Sequence, residues 1–265
     1  MSTMAVDGYR SERDAVLEMA HALSAQQWAE PSDCAGWAAR DVMAHLASTI
    51  HGVIDPAYLP PMAELGPEAA MEVPVGERRA WSLADVIAEY ETCSAQAADA
   101  FATLQEPPMS QTMLPMGALG THPMAILPAT FLFDTYCHLR WDLLGPHGPI
   151  TRPEPPRDER RLRPTLDWML AGLPWMCADA LAFLDRPVTL VFEGPGGRTV
   201  TVGPGGEEGR PLVEDGASSD AVATVRSTDH DFVCWGTQRR PWAGYVKVEG
   251  DADDAGRVLD AINII

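Results

Sequence analysis

Three residues of this chain have the types, and two of them the spacing, to hold a metal ion. Asp134 and His138 are four apart in a stretch rich in apolar residues, so on a helix both side chains project from one face. A carboxylate and an imidazole placed this way can grip one ion from a single helix. His45, in the separate amphipathic segment GWAARDVMAHLASTIHGVI, can supply a third ligand. Two neutral imidazoles and a carboxylate suit Zn²⁺ or another first-row divalent ion, and leave a position for water or a substrate thiol. On spacing alone other readings stay open. An Asp/His pair at i,i+4 is more often a helix-surface hydrogen bond, and a histidine in an amphipathic helix is more often a core or boundary residue.

Helices must position these groups. Apolar residues at helical spacing (Ala15, Val16, Met19, Ala20, Leu23) predict a helix from about Val6 to Ser24. A second carries His45 beside a Val42, Leu46, Ile50 stripe. Ser82 begins Ser-Leu-Ala-Asp, an N-cap pattern opening a third helix that runs to about Leu104. The fourth is placed from about Pro123 to Leu144, with Pro128 expected to kink it or delay its start. The Pro/Gly/Glu-rich connection from Asp55 to Arg79 has room for one short helix. Four helices without a strand pattern read as a four-helix bundle, a fold whose facing helices commonly hold metals.

The segment GPHGPITRPEPPRDE reads as a linker dividing residues 1–150 from 151–265. A helix from about Arg160 to Leu184 follows it. PVTLVFEG, RTVTVG, AVATVRS and YVKVEG then alternate in the strand manner, with GPGG turns at 194–197 and 203–206 and a closing helix in DADDAGRVLDAI. The fold class is α+β in two domains: an N-terminal four-helix bundle and a small C-terminal α/β domain.

Composition removes several functions. Asp and Glu outnumber Lys and Arg by 38 to 19, a formal charge of −19, which repels nucleic-acid phosphates and anionic lipid. No apolar run is long enough to span a bilayer, and the N-terminal residues lack a signal pattern. The five cysteines are scattered, without a CxxC pair, which argues against disulfides and a structural zinc knuckle. A cytoplasmic protein without nucleic-acid or membrane partners is expected.

The segment SAQQWAEPSDCAGWAARDVMAHLAS contains Trp28, Pro31, Ser32, Cys34, Gly36, Trp37, Arg40, Asp41, Val42, Ala44, His45 and Leu46 in the order of a known N-terminal signature. It resembles that of the mycothiol-dependent maleylpyruvate isomerase family, a branch of the DinB-like metalloproteins. FDTYCHLRWDLLG resembles the second signature, an acidic residue four before a histidine with Asp-Leu shortly after. The C-terminal part is similar to the family's sterol-carrier-like module, ending in Val248, Gly250, Asp251 and a short helix. The resemblance implies a divalent metal, zinc foremost, on His45, Asp134 and His138, and mycothiol as the low-molecular-weight thiol. The sequence departs from the family in two places: the acidic ligand is Asp where Glu is usual, and Asp142 follows the histidine by four rather than three.

The implied function is activation of a thiol for addition to a small electrophile, as cis–trans isomerisation of a maleylpyruvate-like substrate or as S-transfer. Arg239 and Arg240, in CWGTQRRPW, are the candidates for holding an anionic substrate or developing enolate, against an equal reading as solvated loop residues. Arg40 is expected to tie its helix to neighbouring carboxylates. Asp142 reads as a group behind a ligand or at a helix end, Cys34 as a small turn residue that could lie near the site, and Cys137 as packing. Alternatives are a metal-dependent hydrolase or lyase using metal-bound water, and a non-catalytic small-molecule or lipid-binding protein.

Overall fold

The computed structural model describes residues 3–58 and 65–265. The chain forms two compact units, Met1–Gly117 with Thr121–Pro156, and Ala118–Gly120 with Arg157–Ile265.

The first unit is a helical bundle. Its long helices are α1 (Thr3–Ala22), α3 (Ala39–Ile54) and α5 (Leu83–Thr103), with short α2 (Ala25–Trp28) and α4 (Pro67–Arg78) between them. The apolar stripes meet in one core built on Val16, Met43, Ala47, Val86, Ala97, Phe101 and Leu132. Ser82 caps α5 by accepting from the Asp85 amide at 3.1 Å, as its sequence foretold. In α4, twelve residues long, Arg78 is buried and ion-paired with Glu89 of α5, which also accepts from His51 of α3 at 2.5 Å. This shared carboxylate ties three helices together.

The last helical segment differs from the expectation. Pro123 lies in an extended conformation at the end of a strand, β2 (Thr121–Pro123), which pairs antiparallel with β1 (Met113–Pro115). Helix α6 begins only at Leu127 and runs to Cys137. Pro128 sets that start, because a proline is tolerated in the first turn, where its missing N–H would have no partner anyway. Beyond Cys137 the chain continues as one π-helical stretch, His138–Leu143, in which the Leu144 amide reaches back to the Leu139 carbonyl.

The second unit is a five-stranded sheet flanked by helices. The strands are β3 (Val188–Glu193), β4 (Thr199–Gly203), β5 (Leu212–Asp215), β6 (Ala223–Thr228) and β7 (Lys247–Gly250), in the order β5-β4-β3-β6-β7. Only β3 and β6 run parallel. Helices α7 (Glu159–Met176), α8 (Asp229–Gly236) and α9 (Ala252–Ala261) complete it. Val188, Leu190, Val200, Val202 and Val225 form the buried centre of the sheet. Helix α7 stops eight residues short of the expected end, two residues after Pro174. Strand β5 and helix α8 were not expected. The cap that could have revealed α8 is Thr228, which accepts from the Asp231 amide at 3.0 Å.

Candidate metal centre

The N-terminal signature folds into a turn that delivers α3. The Ser32 amide donates to the Trp37 carbonyl at 2.9 Å, and the Ser32 hydroxyl donates to the same carbonyl at 2.8 Å. Gly36 has φ +82°, a left-handed conformation that favours glycine. Asp41, in the first turn of α3, accepts from the Ala38 amide at 3.0 Å and so closes the helix start. The turn also hooks onto the π-helical stretch through the Asp33 amide, which donates to the Asp142 carbonyl at 3.1 Å. These bonds set α3 and the end of α6 side by side.

Facing each other across that junction are His45, Asp134 and His138. His45 Nε2 lies 3.2 Å from Asp134 Oδ1, and His138 Nε2 lies 3.4 Å from the same oxygen. The two imidazole rings meet edge-on with centroids 4.7 Å apart. One ligand atom from each residue lies within 4.8 Å of the others, the span of a shared coordination sphere. His45 is buried, and Trp37 leans on its ring at 5.5 Å. Asp134 keeps 24% of its side chain exposed, so the cluster has a route to solvent.

The orientation of His138 is fixed from behind. Its Nδ1 lies 2.6 Å from Asp142 Oδ2, and Asp142 is 1% exposed. Asp142 follows His138 by four residues within the π-helical stretch, which keeps both side chains on one side of it. An ionised carboxylate accepts only, so Nδ1 keeps its proton, and Nε2 is the nitrogen that faces the cluster. On the far side of His45, Nδ1 makes a long 3.5 Å contact with the Thr49 hydroxyl, itself donated to the His45 carbonyl at 2.8 Å.

Charge follows from this geometry. Burial pushes the Asp134 carboxyl up, but His45 and His138 override it and hold the group well below the ordinary carboxylate range. Burial opposes a charge on His138, yet Asp134, Asp142 and Cys34 outweigh it, and the net shift is upward. The carboxylate is thus ionised, and both Nε2 atoms converge on it. Two imidazoles and one carboxylate, buried and preoriented, fit a divalent ion of the zinc type.

The surroundings revise the reading of several residues. Cys34 does approach the cluster, with Sγ 3.8 Å from His138 Nδ1. It lies on the Asp142 side of the ring, where the nearer, charged carboxylate takes the hydrogen bond. Arg40 binds carbonyls rather than carboxylates, donating to Trp81 at 3.0 Å and Arg78 at 3.5 Å; the acid at hand, Asp41, is taken by Arg79. Cys137 is buried in packing. Sequence reasoning missed Glu72, which accepts from Trp37 Nε1 at 2.8 Å and pairs with Arg79, so that α4 is tied to the turn before α3. Arg239 and Arg240 belong to the second unit, just after α8, and both are half-buried. The Arg239 amide donates to the Cys234 carbonyl at 3.1 Å, and the Arg240 guanidinium donates to the Arg239 carbonyl at 2.6 Å.

Residues 9–143 match the family described as mycothiol maleylpyruvate isomerase N-terminal domain, just over half of the chain. The chain belongs to this family. Its fold resembles the crystal structure of the mycothiol-dependent maleylpyruvate isomerase, with a TM-score of 0.59 at 13% identity, covering 94% of this chain and 93% of that one. A mutant of that enzyme gives a TM-score of 0.56 at 12% identity, with the same coverage. At this identity the likeness is one of fold, and it embraces both units. No curated relative matches the chain by sequence. The matched family region contains His45, Asp134, His138 and the Asp142 behind them. Among the described residues no helix is long and apolar enough to cross a membrane.

Proposed function

We propose that the chain is a metal-dependent, mycothiol-using enzyme that activates a thiol for addition to a small electrophile. The reaction is cis–trans isomerisation of a maleylpyruvate-like substrate or S-transfer, and the setting is cytoplasmic. The observation that carries this is the convergence of His45, Asp134 and His138 within 4.8 Å in a chain of the isomerase family.

Zinc held by these three residues would lower the pKa of an entering thiol, so that it reacts as thiolate. The protein's own part is positional. Asp142 holds the proton on His138 Nδ1, keeping Nε2 free to bind. Trp37 and the buried face of α3 shield His45 from water. Arg239 and Arg240 are proposed to hold the carboxylates of the electrophile and the enolate that develops as sulfur adds. Rotation about the resulting single bond and loss of the thiol would give the trans isomer.

The test is purified protein assayed with mycothiol and a maleylpyruvate-like enone, and in parallel with thiol-reactive electrophiles. Thiol-dependent turnover supports the reading; turnover without any thiol would favour a hydrolase or lyase using metal-bound water. Elemental analysis beside His45→Ala and His138→Ala separates both from a binding protein. About one ion per chain, lost in each variant, is expected for a three-ligand site.

A further inference from the structure

Midway between His138 and Asp142, two residues from each, stands Arg140, and its side chain is buried. Its Nη1 and Nη2 donate to the two oxygens of Glu12 in α1, which is itself fully buried. Its Nε donates to Glu154 Oε1 at 3.1 Å, and Nη2 also reaches the Pro155 and Pro156 carbonyls, each at 3.4 Å. The guanidinium lies 3.8 Å over the ring of Tyr136, one turn earlier at the end of α6. One side chain thus grips α1, the ring before it and the closing residues of the first unit.

Such a clamp is a poor device for stability alone. Taking an arginine and a glutamate out of water cancels most of their attraction, and an apolar pair of similar volume would hold α1 to α6 as well. What an apolar pair lacks is direction, which the planar fork of an arginine supplies by meeting several acceptors at fixed angles. The stretch that Arg140 occupies needs direction. Its π-helical pairing, with the Leu144 amide on the Leu139 carbonyl at 3.0 Å, is rare beside ordinary α-helical pairing, and such turns recur at functional sites. The same six residues carry the 2.6 Å contact between His138 Nδ1 and Asp142 Oδ2. That contact lasts only while the backbone between the two residues is held. The Asp33 amide holds it at the Asp142 carbonyl, and Arg140 holds it at the middle.

We infer that Arg140 is a positioning residue for the metal centre: by gripping Glu12, Glu154 and the Pro155 and Pro156 carbonyls, it keeps the π-helical stretch in the register in which Asp142 meets His138. This rests on the proposed metal site and adds to it the anchor of its His138–Asp142 pair. Groups that hold a ligand from behind are worth about 10–100-fold in metal affinity.

The test is Arg140→Lys and Glu154→Gln, each alone and combined with Asp142→Ala, titrated with Zn²⁺ against a chromophoric chelator and with Co²⁺ for its ligand-field spectrum. Lysine keeps the charge between Glu12 and Glu154 but not the fork. Arg140→Lys should weaken Zn²⁺ binding about tenfold and alter the Co²⁺ spectrum, and Glu154→Gln should do the same to a smaller extent. Once Asp142→Ala has removed the contact through which Arg140 acts, either change should cost less than about threefold more. Wild-type Zn²⁺ affinity and Co²⁺ spectrum in folded Arg140→Lys would overturn the inference while leaving the metal site standing. An equal loss with and without Asp142 would also overturn it, because Arg140 would then support the fold at large. If Arg140→Lys does not fold, Glu154→Gln decides by the same two comparisons, since Glu154 stands at the more exposed end of the clamp. Should the unsubstituted protein bind neither ion, the metal-site reading fails, and this inference with it.

Discussion

Replacing Asp142 isolates the part of the site that makes His138 a ligand through Nε2. The 2.6 Å contact to Nδ1 is charge-assisted and almost fully removed from water, so it is about twice as strong as a neutral hydrogen bond. Asp142→Asn keeps an acceptor and the ring's tautomer but removes the charge, and should weaken Zn²⁺ binding about tenfold, near 1.4 kcal/mol. Asp142→Ala also frees the ring to turn toward Cys34, whose Sγ already lies 3.8 Å from Nδ1; the loss should approach 100-fold, near 2.7 kcal/mol. Asp142 and Asp134 both raise the His138 pKa in the metal-free protein, and a proton on Nε2 competes with the ion. Apparent affinity should therefore fall as pH drops, and Asp142→Asn should move that fall to lower pH. Chelator competition across a pH series measures both effects, with circular dichroism as a check on folding. Equal affinities for wild type, Asn and Ala variants in folded protein would refute the reasoning, because His138 would then need no partner to bind.

Removing Cys34 should do the opposite of removing Asp142: Cys34→Ala should keep the metal stoichiometry and affinity of wild type, and a lost ion would make the thiol a ligand. Arg239→Ala and Arg240→Ala should leave metal content unchanged and lower kcat/KM by about 100-fold each if they meet the developing charge; unchanged kinetics would return them to the loop. Burial alone would raise the Glu89 carboxyl, but Arg78 and His51 hold it below its ordinary value. Its contribution to stability is thus fully present above the unfolded carboxylate pKa and lost as pH falls through the folded one. Glu89→Gln should cost about 3 kcal/mol near neutrality by leaving Arg78 buried and unpaired, with the gap to wild type narrowing in acid melts. Gly36→Ala, with φ +82° and open space where a Cβ would stand, should cost only about 1 kcal/mol of strain. Gly194→Ala should cost more, because its Cβ would run into the Asp229 carboxylate.

The helices that carry the cluster were legible because their signals are local. The Ser82 cap, the stripe around His45 and the i,i+4 pair of Asp134 and His138 each lie within one or two turns. The family signature was legible as a pattern, and the structure gives its residues separate duties: Ser32 closes the turn, Gly36 takes the left-handed bend, Trp37 covers His45 and Asp41 starts the helix. What escaped depends on pairing across the chain. Strands β1 and β2 are three residues each, too short for alternation to register, and Pro123 fits an extended end as well as a helical start. The π-helical stretch that carries both His138 and Asp142 leaves no mark in residue type. The role of Glu72 rests on Trp37, 35 positions away, which no window along one helix can contain.

Charge and placement together bear on why a thiol should be the ligand that the proposed site accepts. His45 and His138 bind as neutral imidazoles and Asp134 brings one negative charge, so a divalent ion held there keeps one net positive charge. A single thiolate neutralises it; a second protein carboxylate or cysteine would neutralise it first and leave no drive to ionise an incoming thiol. The protein has both candidates close by, and the geometry turns both away. Asp142 and Cys34 sit at Nδ1 of His138, whereas the cluster forms at Nε2. The imidazole therefore acts as a partition, with the chain's own anion and thiol on one side and the cluster on the other. Turning His138 over should abolish this separation, and the rise in Cys34 coordination expected in Asp142→Ala would appear as a sulfur-to-metal charge-transfer band with Co²⁺. Absence of that band in Asp142→Ala, with His138 still bound, would mean that something other than the ring's orientation keeps the cysteine out.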